Sequence, residues 1–378
     1  MKEIIRGQEA LNYLASKGFS LDIKNGTGGW LQVKSPCPVC GKKYKLYIHD
    51  DTGIFKCQYS GCKINEKAVN AADFVMMLTG LSFKDTIAEL KGSTGRDITI
   101  RPDNATSYDE PDKLDDDERD KSFRCMIKHL NLDADDFENL LSRQLSKSEI
   151  ESLAYRSLEM DDPEALARIM MREGCKLDGL PGAYLKDGEW SLIKTKREGL
   201  KFMVWGKNLK GQIFGAQIRR TPKNDGDPKY TWYSSSYENC DKGTAQKSRI
   251  HYAIRRTYDW QTGEAKPVVG STVYLIEGLL KGDICHLISG KNFFCIAGVT
   301  QYKAIKRDIN EWKKLGIKEI VTCLDMDYHT NSGVKKSLEV ISDILKKEGF
   351  STHQLEWDNE FKGLDDYLVA TGDMSIFG

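Results

Sequence analysis

The chain has 378 residues, 40% of them hydrophobic, and its 56 basic and 56 acidic side chains leave no formal net charge. That length exceeds one ordinary domain, so two or three domains are expected. No apolar run is long enough for a membrane-spanning helix, and the N-terminus lacks the apolar stretch and cleavage site of a secretory signal. We therefore expect a soluble, cytoplasmic protein without a membrane partner.

The neutral total hides a segmented charge pattern. Residues 1–92, 93–180, 181–270 and 271–378 carry net charges of +4, −9, +8 and −3. Two basic segments around an acidic one are compatible with a polyanionic partner such as nucleic acid, despite the neutral total.

Four of the ten cysteines lie close together near the N-terminus, as CPVC at Cys37 and Cys40 and CQYSGC at Cys57 and Cys62. Two such pairs can bring four thiolates into the tetrahedron that Zn²⁺ prefers. YKLYIH and GIFKC between them alternate like a hairpin with DDTG as its turn. The pattern predicts a zinc ribbon within a domain spanning residues 1–92, with His49 a substitute ligand or, as we prefer, a surface residue.

Lysines and aromatic residues surround these cysteines. Charge for phosphates and rings for base stacking are what single-stranded nucleic acid needs, although half of the rings could instead form the core of the ribbon. The residues are Lys42, Lys43, Lys45, Lys56, Tyr44, Tyr47, Phe55 and Tyr59. Two short helices joined at Gly80 should close this module near Leu90.

The other six cysteines are scattered, which argues against a disulfide framework. We expect them to behave as buried, small apolar side chains. They are Cys125, Cys175, Cys240, Cys285, Cys295 and Cys323.

Residues 93–120 are predicted to be a flexible linker, because eight of the twelve residues in DEPDKLDDDERD are acidic. The next segment, 121–270, should be helical from Ser122 to Gly174 and rich in strands after that. Its strands FMVW and QIFGAQIRR should pair. They deliver basic side chains that either hold phosphates or protect an exposed strand edge: Arg219, Arg220, Lys223 and Lys229.

Strands and helices alternate through residues 271–378, which predicts a mostly parallel sheet with helices on both sides. Glu277 ends the first strand, while Asp325 and Asp327 end the third and should project to the same side. Three carboxylates at one sheet edge call for a cation, and oxygen ligands suit Mg²⁺ or Mn²⁺. Taken singly, each could be an ordinary cap. Asp365 and Asp366 could reach the same site or cap a helix.

The order of these modules resembles the DnaG-type DNA primases of bacteria, phages and mobile elements. The resemblance is carried by the zinc ribbon, by KGQIFGAQIRR with DPKYTWYSSS, by Glu277-Gly278, by Asp325-Met326-Asp327 and by KGLDDYL. It implies an α+β multidomain protein with a zinc ribbon, a central RNA-polymerase-like mixed α/β segment, and a C-terminal α/β TOPRIM domain with a mostly parallel sheet.

The implied activity is RNA primer synthesis on single-stranded DNA from ribonucleoside triphosphates. The ribbon would bind template with its structural Zn²⁺, and the basic residues would hold template or nucleotide. Glu277, Asp325 and Asp327 would be catalytic and would bind Mg²⁺ or Mn²⁺ together with Asp365 and Asp366.

Two residues depart from the family pattern. Lys281 stands where the family has an acidic residue, which leaves the number of metals open, resembles the phage and plasmid branch and adds a candidate for nucleotide or template binding. Cys40 replaces a frequent histidine ligand.

No GxxxxGK[ST] motif is present, so any replicative helicase partner is expected to be encoded separately. The alternatives are a TOPRIM nuclease using the same carboxylates and a non-catalytic single-stranded DNA-binding relative of primases.

Overall fold

Two separately packed units make up the chain. One comprises residues Met1–Pro111 with Ser236–Asn239, and the other Asp112–Ser235 with Cys240–Gly378. The computed structural model describes residues 3–19, 21–25, 29–66, 68–94, 98–99, 112–195, 199–222, 228–236, 240–299, 301–329 and 332–378. The predicted division of the second unit at residue 270 stays a prediction.

The first unit is built on an antiparallel sheet in the order β2-β3-β4-β5-β6. Its elements are β1 (Glu3–Ile4), α1 (Gly7–Ser16), β2 (Ile23–Asn25), β3 (Trp30–Val33), β4 (Leu46–His49), β5 (Ile54–Cys57), α2 (Lys63–Glu66), β6 (Val69–Asn70), α3 (Ala71–Thr79), α4 (Phe83–Thr94) and β7 (Ile98–Thr99). The predicted hairpin is confirmed, because β4 pairs with β5 from Leu46 opposite Cys57 to His49 opposite Ile54.

Helix α3 is fixed at both ends by local sequence. The Asn70 side chain accepts a hydrogen bond from the Asp73 N–H at 2.9 Å, and Gly80 ends the helix with φ +72°. Phe74 of this helix stacks on Phe55 of β5 at 4.1 Å between ring centroids. Both rings are buried, each contributing about 1.5–3 kcal/mol by leaving water.

In the described residues, the first half of the second unit contains four helices, with one short strand between the third and the fourth, and then five further strands. They are α5 (Asp116–His129), α6 (Ala134–Leu141), α7 (Lys147–Leu153), β8 (Arg156–Ser157), α8 (Pro163–Arg172), β9 (Ala183–Lys186), β10 (Glu189–Leu192), β11 (Phe202–Lys207), β12 (Ile213–Arg219) and β13 (Tyr230–Trp232). The pairing of FMVW with QIFGAQIRR is confirmed by the antiparallel ladder of β11 and β12, which lies in a sheet ordered β13-β12-β11-β8.

The acidic linker prediction is wrong for its last residues, because α5 begins at Asp116 inside the acidic run. The Asp115 side chain accepts a hydrogen bond from the Glu118 N–H at 2.8 Å, and negative charge in a first turn stabilises the helix dipole. Phe123 and Met126 on the same helix are fully buried. Composition alone did not indicate that these charges begin an amphipathic helix; residues 100–111 lie outside the described part.

The second half of this unit is a five-stranded sheet covered by helices. Its elements are β14 (His251–Ala253), β15 (Arg256–Asp259), β16 (Glu264–Pro267), β17 (Thr272–Glu277), α9 (Leu279–Ser289), β18 (Phe293–Ile296), α10 (Lys303–Lys314), β19 (Glu319–Cys323), α11 (Ser332–Lys347), β20 (Ser351–Gln354) and α12 (Leu364–Thr371), with 3₁₀ turns at Met326–His329 and Ser375–Phe377. Among the described residues, no helix combines the length and apolarity needed to cross a membrane.

The strand order of this sheet reverses next to its central strand. The order is β14-β18-β17-β19-β20, in which β17, β18, β19 and β20 run parallel and β14 runs antiparallel. From the central β17 the chain goes through α9 to β18 on one side, then through α10 to β19 on the other side. Such a reversal leaves a crevice at the carboxyl ends of the adjacent strands, here β17 and β19.

A buried hydrogen-bond network fixes α9. Tyr155 donates its hydroxyl hydrogen to Asp283 Oδ2 at 2.5 Å, and His251 Nε2 lies 3.1 Å from Asp283 Oδ1. The Lys207 N–H donates to His251 Nδ1 at 2.9 Å, which leaves the Nε2 hydrogen for the carboxylate. Burial alone would raise the pKa of Asp283, but His251 and, more weakly, Lys207 lower it to about 2.

Tyr155→Phe should lower the free energy of unfolding by about 1–2 kcal/mol, because a buried carboxylate oxygen loses its donor. Urea unfolding of the full chain, followed by tryptophan fluorescence, measures the change. Tyr258→Phe is the matched control, since that ring is 73% exposed. Equal midpoints for the two variants would contradict a stabilising network.

The stability of the second unit should also depend on pH. The folded pKa of Asp283, about 2, lies below the ordinary value of about 4 for an unfolded aspartate. Its contribution is therefore present above about pH 4 and lost as the pH falls through the folded pKa. Unfolding midpoints measured between these limits should fall less steeply for Asp283→Asn than for the unchanged chain.

Candidate active site and metal centre

The four predicted cysteine ligands come together in the first unit. One sulfur from each of Cys37, Cys40, Cys57 and Cys62 lies within 4.8 Å of the others, and the Cys40 and Cys57 sulfurs are 3.7 Å apart. Cys40 is half-buried and the other three are buried.

Local backbone turns aim these thiols. The Gly41 N–H donates to the Cys37 carbonyl at 2.7 Å, and the Cys62 N–H donates to the Tyr59 carbonyl at 2.9 Å. Gly41 has φ +72°, a left-handed conformation that closes the first turn without strain. Cys57 is the last residue of β5, so the hairpin places the second pair, Cys57 and Cys62, next to the first pair, Cys37 and Cys40.

The cluster fits a structural zinc ion. Four sulfurs about 2.3 Å from Zn²⁺ lie about 3.8 Å from one another, close to the Cys40–Cys57 separation. Without a cation the thiols differ in how readily they lose a proton. A hydrogen bond with Cys57 lowers the pKa of Cys37 to about 5, while burial raises the pKa of Cys62 to about 12. A divalent cation allows all four to be thiolates.

The aromatic residues around the ribbon divide between the two expected roles. Phe55 is core, and Tyr47 is half-buried with its hydroxyl oxygen accepting from Gln32 Nε2 at 2.7 Å. Tyr44 is 47% exposed, and the Lys42 ammonium lies 5.1 Å from the Tyr59 ring centroid. Tyr59 itself is half-buried against the core of the unit, so the exposed ring is that of Tyr44 and the charge beside it comes from exposed lysines such as Lys42.

In the second unit, Glu277 and Asp325 lie at the ends of β17 and β19, and Asp365 and Asp366 lie in the first turn of α12; we name these four residues the carboxylate edge. Glu277 is the last residue of β17. The expectation that Asp325 and Asp327 share a strand face is wrong, because β19 ends at Cys323 and a 3₁₀ turn begins at Met326. The Asp327 side chain lies outside the described part.

Lys281, in the first turn of α9, forms an ion pair with Asp325 Oδ1. Asp325 is 8% exposed, and its other oxygen lies 3.6 Å from the Lys362 ammonium. Burial would lower the pKa of Lys281, but the charges of Asp325, Asp365 and Glu277 raise it above its usual range. The lysine is thus a permanent cation at the carboxylate edge.

Asp365 lies in the first turn of α12 and is 2% exposed. Its Oδ2 accepts a hydrogen bond from Arg143 Nη1 at 3.3 Å, while its buried Oδ1 has no hydrogen-bond partner among the described residues. Burial raises the pKa of Asp365, Lys281 opposes that shift, and Asp366 adds to it. An unsatisfied buried carboxylate oxygen is a group that a divalent cation could use.

Gly363 is where these side chains meet. A Cβ there would overlap Asp365 Oδ1 and lie 3.1 Å from Lys281 Nζ and 3.5 Å from Asp366 Oδ2. Close approach of the backbone, rather than an unusual φ, therefore calls for glycine at this position. In the described part of the chain, the carboxylate edge does not gather three acidic oxygens within 4.8 Å. Three carboxylates held that close together would repel one another without a cation between them. At this edge the ammonium of Lys281 provides the positive charge.

The basic hairpin of β12 and β13 lies near the same edge. The Arg219 guanidinium is 5.1 Å from the Tyr230 ring centroid and donates to the Arg220 carbonyl at 3.2 Å. Arg220 Nε donates to the Pro228 carbonyl at 3.1 Å, and its N–H to the Lys229 carbonyl at 3.0 Å. Lys223 lies outside the described residues.

Charges of the carboxylate edge act on Tyr230 of this hairpin. Burial raises the pKa of its hydroxyl, and the charges of Arg219, Arg143, Asp365 and Lys281 all act on that group. Arg143, Tyr230 and Lys362 were not singled out by the sequence. Lys362 lies in KGLDDYL and Tyr230 in DPKYTWYSSS, two segments that carry the family resemblance. Arg143 lies far from both segments in the sequence.

Comparison with known proteins gives a partial match. Residues 260–375 match the model of a family described as a domain of unknown function, DUF3854. No curated protein matches this chain.

Among solved structures, the chain is similar to the zinc-binding and RNA polymerase domains of the Aquifex aeolicus primase, at 15% identity over 98% of this chain and 83% of that one, with a TM-score of 0.48. It is similar to the RNA polymerase domain of Mycobacterium tuberculosis primase DnaG at 12% identity, over 69% of this chain and 81% of that one, with a TM-score of 0.49. For the E. coli primase catalytic core the values are 14%, 67%, 72% and 0.41.

Removing one cysteine ligand should release one zinc ion and unfold the first unit. Cys57→Ser is expected to lower zinc content by about one ion per chain, because a three-thiolate site loses most of its affinity. Metal analysis and limited proteolysis of residues 1–111 measure the two effects. Cys240→Ser, outside the cluster, should change neither; unchanged zinc content in Cys57→Ser would contradict the four-cysteine site.

Proposed function

We propose that the chain is a DNA primase of a phage or mobile element, which joins ribonucleotides into short RNA primers on single-stranded DNA by metal-dependent nucleotidyl transfer. The observation that carries the proposal is the carboxylate edge at a strand-order reversal, with Lys281 paired to Asp325 and the basic hairpin beside it. A TOPRIM domain is the corresponding proposal for residues 271–378.

Glu277, Asp325, Asp365 and Asp366, with Asp327, would hold Mg²⁺ or Mn²⁺ at this edge. The unpartnered Asp365 Oδ1 supports the fit, since hard divalent cations take carboxylate oxygens. When bound, the cation would lower the pKa of the attacking 3′-hydroxyl and neutralise charge on the triphosphate. Lys281 would contribute a positive charge in the place of a second metal ion.

The basic hairpin would bind phosphate groups of the nucleotide or the template. Arginine donates up to five hydrogen bonds and keeps its charge, so a guanidinium with one bond to a carbonyl still has donors to offer. Arg219, Arg220, Lys223 and Lys229 would share this role. The surface formed by Lys42, Tyr44 and Tyr59 on the zinc unit would bind single-stranded template by charge and stacking.

Asp325→Asn should reduce primer synthesis by at least about 100-fold, because it removes a charge that positions the cation and breaks the ion pair with Lys281. The assay combines the full chain, single-stranded DNA, labelled ribonucleotides and Mg²⁺ or Mn²⁺. Asp343→Asn, on the exposed face of α11, is the matched control.

The products separate three functions. Short RNA products lost in Asp325→Asn support a primase. Cleavage of the template by the unchanged chain would support a TOPRIM nuclease instead. Template binding with neither product would favour a non-catalytic single-stranded DNA-binding protein.

Lys281→Met should shift the metal requirement as well as the rate. Losing the ammonium beside Asp325 leaves the carboxylate edge more negative, so half-maximal activity is expected at a lower Mg²⁺ or Mn²⁺ concentration, while turnover falls about 10- to 100-fold. Metal titrations of primer synthesis measure both quantities. Lys314→Met, with a side chain 70% exposed, controls for loss of one positive charge. An unchanged metal requirement would argue that Lys281 is structural.

A further inference from the structure

A second cluster of metal-binding side chains lies in the second unit, away from the residues proposed for catalysis. Ligand atoms of Cys125, His129 and Glu173 all lie within 4.8 Å of one another. His129 Nε2 is 2.8 Å from Glu173 Oε1. These three side chains supply one sulfur, one nitrogen and one oxygen donor.

Helical spacing brings two of these donors together. Cys125 and His129 are four residues apart near the end of α5, so they lie one above the other on the same helix face. Glu173 is the C-cap residue of α8. The same arrangement of i and i+4 ligands on a helix, completed by a residue from another element, is used by zinc sites in proteins.

The segment that carries Glu173 is fixed against α5. Lys121 Nζ donates to the Gly174 carbonyl at 2.8 Å, and the Cys175 N–H donates to the Met170 carbonyl at 2.9 Å. Gly174 has φ +77°, which allows the chain to turn back directly after Glu173. Glu173 is therefore positioned by contacts that do not involve the side chains of the cluster.

The Glu173 carboxylate is oriented as a metal ligand would need. One oxygen faces His129, while the other lies 3.3 Å from the Lys128 ammonium. A ligand whose second oxygen is held by a neighbouring group keeps its direction. The side chains of His129 and Glu173 are 33% and 37% exposed, which gives an ion access from solvent, whereas Cys125 is buried.

We propose that Cys125, His129 and Glu173 form a second zinc site, independent of the four-cysteine cluster and of the proposed catalysis. One thiolate, one imidazole and one carboxylate are within the ligand set of Zn²⁺, and water would take the fourth tetrahedral position. Binding displaces the proton of the Cys125 thiol, and the Glu173 carboxylate and neutral imidazole bind without losing one. The ion would tie the end of α5 to the end of α8.

The test is metal content of the full chain after growth with zinc and removal of loosely bound ions by gel filtration. The unchanged protein should hold about two zinc ions, and His129→Ala combined with Glu173→Gln about one. Cys37→Ser should also leave about one, and the three changes together about none. The two altered side chains of the second site are partly exposed, so their replacement leaves the core intact.

Cobalt distinguishes the two sites by their ligands. Co²⁺ added to metal-free protein carrying Cys37→Ser should give the visible bands of a tetrahedral thiolate site, and further Cys125→Ser should remove much of their intensity. His353→Ala, which breaks an exposed histidine–glutamate pair at 3.6 Å, is the matched control and should change nothing. The proposal is overturned if Cys37→Ser abolishes all zinc binding, or if the His129 and Glu173 changes leave zinc content unaltered.

Discussion

The ion pair between Lys281 and Asp325 is the interaction on which the candidate active site depends. Asp325 and Asp365 are both buried at the carboxyl ends of the parallel strands, where water screens their repulsion poorly. The ammonium of Lys281 balances that charge from within the chain, while Arg143 and Lys362 add positive charge around it. The close passage of Gly363 past these groups follows from the same packing.

Contacts made by the opposite side of helix α9 hold Lys281 in place. Asp283 follows it by two residues, about 200° further around α9, and so faces Tyr155 and His251 instead of the carboxylate edge. Leu279, Leu280 and Ile284 pack into one core with Phe202 and Trp205 from the preceding segment. The geometry of the edge is thus tied to the packing of residues far upstream of 270.

What could be predicted from the sequence depends on the distance over which each interaction acts. The Cys37–Cys62 cluster and the hairpin inside it follow from spacing within 26 residues, and both are present. Alternating strands and helices indicated that the first strand of residues 271–378 would end at Glu277. The contact of Arg143 with Asp365 spans 222 residues, and no local pattern encodes it. Asp325 was misplaced because strand periodicity does not indicate where a strand stops and a 3₁₀ turn begins.

The scattered cysteines illustrate the same limit. All were expected to be small apolar side chains, and Cys285, Cys295 and Cys323 do lie in the apolar layer between the sheet and α12. Cys125 is also buried, yet its sulfur lies within 4.8 Å of ligand atoms of His129 and Glu173. The difference arises where α8 ends: a reversal at Gly174 returns the chain to α5 and brings sulfur, nitrogen and oxygen donors to one place. Burial of a thiol therefore does not decide its chemistry; the polar atoms that the fold places beside it do.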